Sequence, residues 1–380
     1  MKKATVFNKV LSVLLVVSLV LSLAIPGLAA QTDVSFKQVS NSSVSAKLPG
    51  REAVDVAEDE VPYADTEIVR VSIVLEKAGT LEAGYAVETV GTNFFAKMYR
   101  SNLRKEQDKI TSKIENAIDA DLDVVWNLTL AANIISANVA YGQIDEIESV
   151  KGVEKVLIET IYETDVVSTD VADPNMATSG AQIGTAPVWA TGYTGAGSRI
   201  AIIDTGVDVD HISFDAAAFE YSLAYRAGLA GMTPDEYKAS LNLLTAAEID
   251  KLASELNAPV TGSEAYINSK IAFGYNYLDA SLDVSHMNDG QGEHGSHVAG
   301  IAAANAFVPS ESGFTAALSS VFVQGVAPDA QLITMKVFGK KGGPRDTDYL
   351  GAIEDAIILG ADSINLSLGS GNPGRSRSST

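Results

Sequence analysis

An α/β architecture on a parallel sheet, with a smaller α+β module in front of it, is the fold that this 380-residue sequence predicts. Three observations carry the prediction. Arg199-Ile200-Ala201-Ile202-Ile203-Asp204 is an apolar, β-branched run that stops at an acid and a glycine turn, the pattern of a buried strand. Strand patterns from Gln331 to Phe338 and from Ser363 to Leu368 alternate with helical ones, as a parallel sheet requires. Upstream, between Glu67 and Glu159, the order is strand, helix, strand, strand, helix, strand, which is the split ferredoxin-like arrangement.

Length and composition bound the rest. The length allows two or three domains with ample core. A formal net charge of -21 would repel a polyanion, so no nucleic-acid partner is expected. The absence of cysteine excludes disulfides and a thiol nucleophile. At the amino terminus Lys2, Lys3 and Lys9 precede an apolar run from Val10 to Ala24, which Pro26 and Gly27 break. With the small residues of Gly27-Leu28-Ala29, this reads as a signal peptide over residues 1–30, cut after Ala29 or Ala30. No membrane span is expected after its removal, and the protein is expected to be secreted or held at the cell envelope. Residues 31–64, rich in Ser, Val and acids without a period, read as a poorly ordered leader.

The α+β module comes next. Ile68 to Leu75 alternates apolar and polar positions over most of its length, a half-buried strand. After Ser101, residues Leu103, Ile110, Ile114, Ala117 and Ile118 recur at three- and four-residue steps and predict an amphipathic helix. Asp123 to Leu130 and Ile134 to Val139 read as strands, Gly142 to Ser149 as a short helix with Ile144 and Ile147 inward, and Glu154 to Glu159 as the last strand. From Tyr162 to Gln182 the chain is rich in Asp, Thr, Ser and small residues and reads as an exposed connector.

Beyond the connector, Ala186-Pro187-Val188-Trp189 predicts a short helix, and Gly192, Gly195 and Gly197 the turns that feed the Asp204 strand. The long stretch from Asp204 to His294 reads as a surface insertion of two small helices. Thr233-Pro234-Asp235-Glu236 and Thr245-Ala246-Ala247-Glu248 are capping boxes, and Ile249, Leu252, Ala253 and Leu256 form one apolar face. Gly325-Val326-Ala327-Pro328-Asp329-Ala330 turns into the next strand. Asp346 or Thr347 is expected to cap a helix with Leu350, Ile353 and Ile357 toward the sheet, and Gly360 to end it.

Gly292-Glu293-His294-Gly295-Ser296-His297-Val298-Ala299-Gly300 puts a histidine where a helix begins. In an open α/β sheet, ligand chemistry gathers outside the carboxyl ends of the strands, so Asp204 and His294 are a candidate pair for proton handling. His294 can take a proton from a nucleophile, while Asp204 fixes its tautomer and stabilises the imidazolium. Gly295, lacking a Cβ, permits close approach of backbone and substrate. Two other readings compete. Asp204-Thr205-Gly206 also marks aspartic peptidases, where two acids share a proton; no second Asp-Thr-Gly occurs, so a homodimer would have to supply it. His294 and His297, three apart on a helix, suit a metal, with Asp210, His211 or His286 as further ligands.

Asp204-Thr205-Gly206-Val207 after a strand, followed by His294-Gly295-Ser296-His297-Val298-Ala299-Gly300, resembles the subtilisin-like serine peptidases. The subtilisin triad is a general worked case of this chemistry, and the order Asp, His, Ser with its roles is taken from that family. The resemblance implies a subtilisin-like catalytic domain in which Asp204 and His294 are catalytic and His297 is structural. It implies no catalytic metal or cofactor, leaves structural calcium open, and makes a peptide or protein the substrate. By pattern and position, residues 65–165 resemble an inhibitory prosegment that assists folding and blocks the cleft of its own chain. Residues 166–182 would then be the processing linker, with the cut between Asp165 and Asp173, and residues 183–380 the amino-terminal part of the peptidase domain.

Ser367-Leu368-Gly369 matches the family segment whose backbone pairs with an extended substrate. Lys270 to Tyr277, with the long insertion, is most like the lactocepin-type cell-envelope proteinases. One departure stands out: neither the Gly-Thr-Ser-x-Ala helix start that bears the nucleophilic Ser nor the oxyanion Asn motif occurs before Thr380, and Gly371 to Thr380 looks unlike a peptidase core. The expectation is a truncation or frame change near Pro373, and a chain that, made alone, does not hydrolyse peptides and tends to aggregate. A non-enzymatic inhibitor or chaperone, binding an intact peptidase through the prosegment, is the rival from another class.

Overall fold

Alternation of side chains builds the first sheet. The computed structural model describes residues 63–163, 176–321 and 323–369; the signal peptide, all but the end of the leader, the expected cut and the tail beyond Gly369 lie outside the described residues. Strand β1 (Ile68–Leu75) sends Val69, Val71, Ile73 and Leu75 into one core and turns Arg70 and Ser72 to the other face. Helix α1 (Phe94–Ile118), β2 (Asp123–Leu128), β3 (Ile134–Ala140), α2 (Ile144–Glu148) and β4 (Val153–Ile158) complete the module. The strand order is β2-β3-β1-β4 with every pair antiparallel, compatible with the split arrangement. Ile110 and Ile114 of α1, with Ile144 and Ile147 of α2, close the core over β1.

Helix α1 begins earlier than the sequence suggested. Asn93 caps it, its Oδ1 accepting from the N–H groups of Phe95 at 2.9 Å and Ala96 at 3.2 Å, and Ser101 lies exposed within it. Phe94, Phe95 and Met98 are exposed, so the first turns carry no inward apolar stripe to read. The connector reading also needs correction, because α3 (Met176–Ile183) is helical up to α4 (Thr185–Ala190). Small residues without an apolar stripe hid it, although Ala, Met and Gln favour helix.

The second sheet carries the site. Its chain order runs β5 (Arg199–Asp204), α5 (Ala216–Leu229), α6 (Pro234–Ser240), α7 (Ala246–Leu252), α8 (Gly262–Ala265), β6 (Ile271–Asn276) and α9 (His294–Ala303). A small hairpin of β7 (Phe307–Ser310) and β8 (Gly313–Ala316) follows, then α10 (Ala317–Ser320), β9 (Gln331–Lys336), α11 (Asp346–Ile358) and β10 (Ser363–Leu366). The order β10-β5-β9-β6 is parallel throughout, which sets β5 inside the sheet with Asp204 opposite Lys336. Every residue of β6 and β9 is buried, as strands covered on both faces must be.

Three expectations about helices change. The box at Thr233 forms in full, but at Thr245 only the hydroxyl half does, accepting from the Glu248 N–H at 3.3 Å, while the Glu248 carboxylate takes Lys251. The insertion is no surface decoration: Leu244, Ile249, Leu256, Ala258 and Val260 share one core with Ile203, Phe273 and Ile333. Neither Asp346 nor Thr347 caps α11. Arg345 is its N-cap, and the Asp348 carboxylate accepts from the Arg345 N–H at 2.9 Å.

Asp346 and Thr347 reach instead to the first module. Asp346 accepts from the Thr160 N–H and the Tyr162 hydroxyl, both at 2.8 Å, and the Thr347 hydroxyl donates to Glu159 at 2.9 Å. Arg70 and Trp126 donate to Asp348 Oδ1 at 3.0 and 2.9 Å, so the polar face of the first sheet rests on the start of α11.

Candidate active site

The carboxyl end of β5 delivers Asp204, and the start of α9 delivers His294. The two side chains meet: His294 Nδ1 lies 2.8 Å from Asp204 Oδ1 and 3.0 Å from Oδ2. With the carboxylate ionised, Nδ1 carries the proton and Nε2 keeps its lone pair. Asp204 is 1% exposed, whereas the His294 side chain is 28% exposed, so the acid is sealed from water and the imidazole is reachable.

Thr205 holds both partners. Its N–H donates to Asp204 Oδ1 at 2.7 Å, and its hydroxyl accepts from the Gly295 N–H at 2.9 Å. Two glycines make this approach sterically possible. A Cβ on Gly295 would lie 2.3 Å from the Gly206 carbonyl oxygen, and one on Gly206, whose φ is +101°, would lie 2.2 Å from that of Val284. The group that Gly295 admits is thus the Gly206 backbone.

A buried ion pair that the sequence reading missed joins the two ends of the site. Lys336 donates to the Thr205 carbonyl, and its Nζ stands 2.9 Å from Asp289 Oδ2, with the two side chains only 1% and 3% exposed. Asp289 belongs to the loop that runs into His294, and its Oδ1 accepts from the Gln291 N–H at 3.0 Å. The available signal was the lone charge inside the apolar run Gln331 to Phe338.

The other histidines stand apart from this pair. His297 is exposed on α9. His211 Nδ1 accepts from the Ser213 N–H at 3.2 Å, and His286 Nδ1 lies 3.2 Å from Ser296 Oγ. Among the described residues no group of three or more His, Asp or Glu is placed to hold a metal ion.

Ser367, Leu368 and Gly369 follow β10. Ser367 Oγ donates to Asn365 Oδ1 at 3.0 Å, and Leu368 packs half-buried against the core. Gly369 is paired in both directions with Glu163 at the end of the first module: the Glu163 N–H donates to the Gly369 carbonyl at 3.0 Å, and the Gly369 N–H to the Glu163 carbonyl at 3.2 Å. One residue earlier, the Tyr162 N–H donates to the Pro344 carbonyl at 2.9 Å, and Ile161 bridges Arg345. An extended piece of chain therefore lies between residues 344–345 and Gly369.

Proton transfer beside the carboxyl edge of a parallel α/β sheet is the chemistry such a geometry allows. Residues 195–380 match the subtilase family. Among relatives, the minor extracellular protease Vpr of Bacillus subtilis is 28% identical over 239 residues, covering 60% of this chain and 22% of that protein. A PII-type proteinase of Lactococcus lactis subsp. cremoris is 30% identical over 242 residues, covering 63% of this chain and 10% of that protein. A C5a peptidase of Streptococcus pyogenes is 34% identical over 176 residues, covering 46% of this chain and 12% of that protein. The chain thus spans about a fifth of the first relative and a tenth of the second.

Proposed function

We propose that these residues are the amino-terminal part of a secreted serine endopeptidase precursor, in which Asp204 and His294 are two members of an Asp-His-Ser triad. The contact of His294 Nδ1 with Asp204 Oδ1 at 2.8 Å is the observation that carries this reading. The Ser comes from sequence outside these residues, since no Gly-Thr-Ser-x-Ala occurs among them. In the reaction the Ser oxygen attacks the scissile carbonyl carbon and its proton passes to His294 Nε2. Asp204 stabilises the imidazolium, which then gives the proton to the leaving amine; water repeats the sequence on the acyl-enzyme.

The substrate adds as a strand to Gly369 and to residues 344–345, so that backbone pairing binds any peptide and side-chain pockets select. Residues 65–165 act as the inhibitory prosegment and residues 166–182 as the processing linker. The pairing of Glu163 with Gly369 supports this, because the end of that module sits where an extended peptide would. The basic, apolar and small-residue pattern of residues 1–30 and the extracellular Vpr relative support export, to the medium or the envelope.

The test uses the full precursor. Asp204→Asn is expected to leave the fold intact and lower kcat/KM on peptide substrates by ~10⁴-fold, the size of a wrong imidazole tautomer in a serine triad. Unchanged turnover would sink the assignment. No labelling by a serine-directed phosphonate, together with tight inhibition of a separate subtilase, would instead favour a non-enzymatic inhibitor.

A further inference from the structure

The segment between Asp204 and His294 also touches the first module, beside Glu354 of α11, through a fully buried arginine. Arg100 of α1 is 0% exposed. Its Nη1 donates to the Glu255 carbonyl and to Glu255 Oε2, both at 3.0 Å, and its Nε to Thr129 Oγ1 at 3.3 Å. Glu255 closes the single turn that follows α7. Two further basic residues of α1 lie alongside: Arg104 donates to the Ser254 carbonyl at 3.2 Å, and Lys97 Nζ stands 4.0 Å from Glu255 Oε1. Apolar groups complete the contact, since Val90 and Ala96 share a core with Ile249, Leu256 and Ala258 of the insertion.

The energetics make this contact selective. A guanidinium taken out of water costs several kcal/mol unless a carboxylate and further acceptors meet it, and removing one partner leaves the other charge stranded. Burial lowers the Arg100 pKa, and the charges of Glu354 and Glu255 oppose that shift. A first module without Arg100 therefore strands the Glu255 carboxylate on docking, and a peptidase domain without Glu255 leaves the Arg100 guanidinium without its ion-pair partner, with Glu354 as the main charge still opposing its burial.

We propose that the insertion between Asp204 and His294 is a selectivity surface for the first module, in which Glu255 receives Arg100. The partner it fits is an α+β module whose long helix presents a guanidinium flanked by Lys97 and Arg104. This deepens the prosegment reading: the prosegment of this precursor would bind peptidase domains that carry the insertion and its acid, and reject the rest.

The experiment uses the full precursor in a His294→Ala background, with a recognition site for an added protease placed between Asp165 and Asp173. After the cut, dissociation of the amino-terminal fragment is timed by size-exclusion chromatography on dilution. Arg100→Met and Glu255→Gln should each speed release by ~10²-fold, and the double variant should be no faster than the faster single one. Glu255→Gln is isosteric, so it keeps the test open if Arg100→Met fails to fold. Release within about threefold of the parent for a folded variant of either residue overturns the proposal. Inhibition of the active precursor is scored separately: a fragment held through Arg100 that never slows hydrolysis defeats the prosegment reading alone, whereas an inhibiting fragment indifferent to Glu255 defeats the selectivity surface alone.

Discussion

Lys336 sits in an apolar strand where a charge is costly, and it faces Asp289 across the backbone that carries Asp204 and Thr205. Breaking a buried pair by removing one member strands the other charge, at about 3–5 kcal/mol. Lys336→Met in the full precursor is therefore expected to lower the unfolding free energy from urea titration by an amount in that range, with a lower midpoint, and more than Lys340→Met does at its exposed position. Equal midpoints would show that the pair holds nothing. Asp204 and His294 were readable because each stands in a short motif at an element boundary, a strand end and a helix start. Asp289 and Lys336 were not, since 47 residues separate them along the numbering and only the parallel pairing of β5 with β9 brings Lys336 beside Asp204.

At the scale of elements, α11 shows why an apolar stripe is an incomplete guide. Leu350, Ile353 and Ile357, read from the sequence as its inward face, are half-buried, while Glu354 and Asp355 lie deeper. The helix is covered on more than one side, by the sheet and by the first module, so acids there must be hydrogen-bonded. Asp355 accepts from the Asn257 and Ala258 N–H groups at 2.6 and 2.8 Å and from the Tyr277 hydroxyl at 2.9 Å.

Burial nevertheless dominates and pushes the Asp355 carboxyl up to about 7, with those hydrogen bonds opposing it and the Glu354 charge adding to it. The unfolded chain releases that proton near pH ~4, so the stability tied to this group is full below ~4 and is lost as pH rises through about 7. Asp355→Asn should flatten the fall of Tm between pH ~5 and ~8. An unaltered pH profile would exclude Asp355 as its source. Glu159, where the first module meets Thr347, is raised by burial in the same direction.

For the whole molecule, the shared core decides cooperativity. Val90, Ala96 and Leu130 of the first module cluster with residues of the second sheet and of the insertion, and the two sheets belong to one compact body. One calorimetric unfolding transition is expected for the described body, because opening either module strips cover from the core that the two share. Two separated transitions, with the first module melting alone, would show that these contacts do not couple them.

Local pattern determined a large part of this protein. Alternation in β1, the apolar runs of β5 and β9, the box at Thr233 and the motifs around Asp204 and His294 depend on residues close in sequence, so their meaning survives without the fold. The tertiary structure decided what distance in sequence hides. It set the start of α1, whose first turns expose their aromatic residues, and it drew the insertion into the core. It turned Asp346 and Thr347 away from capping and toward Thr160 and Glu159. It also brought Glu163 to Gly369 and Arg100 to Glu255. Each of these is a partnership between side chains or strands far apart in the chain, and only packing can choose such partners.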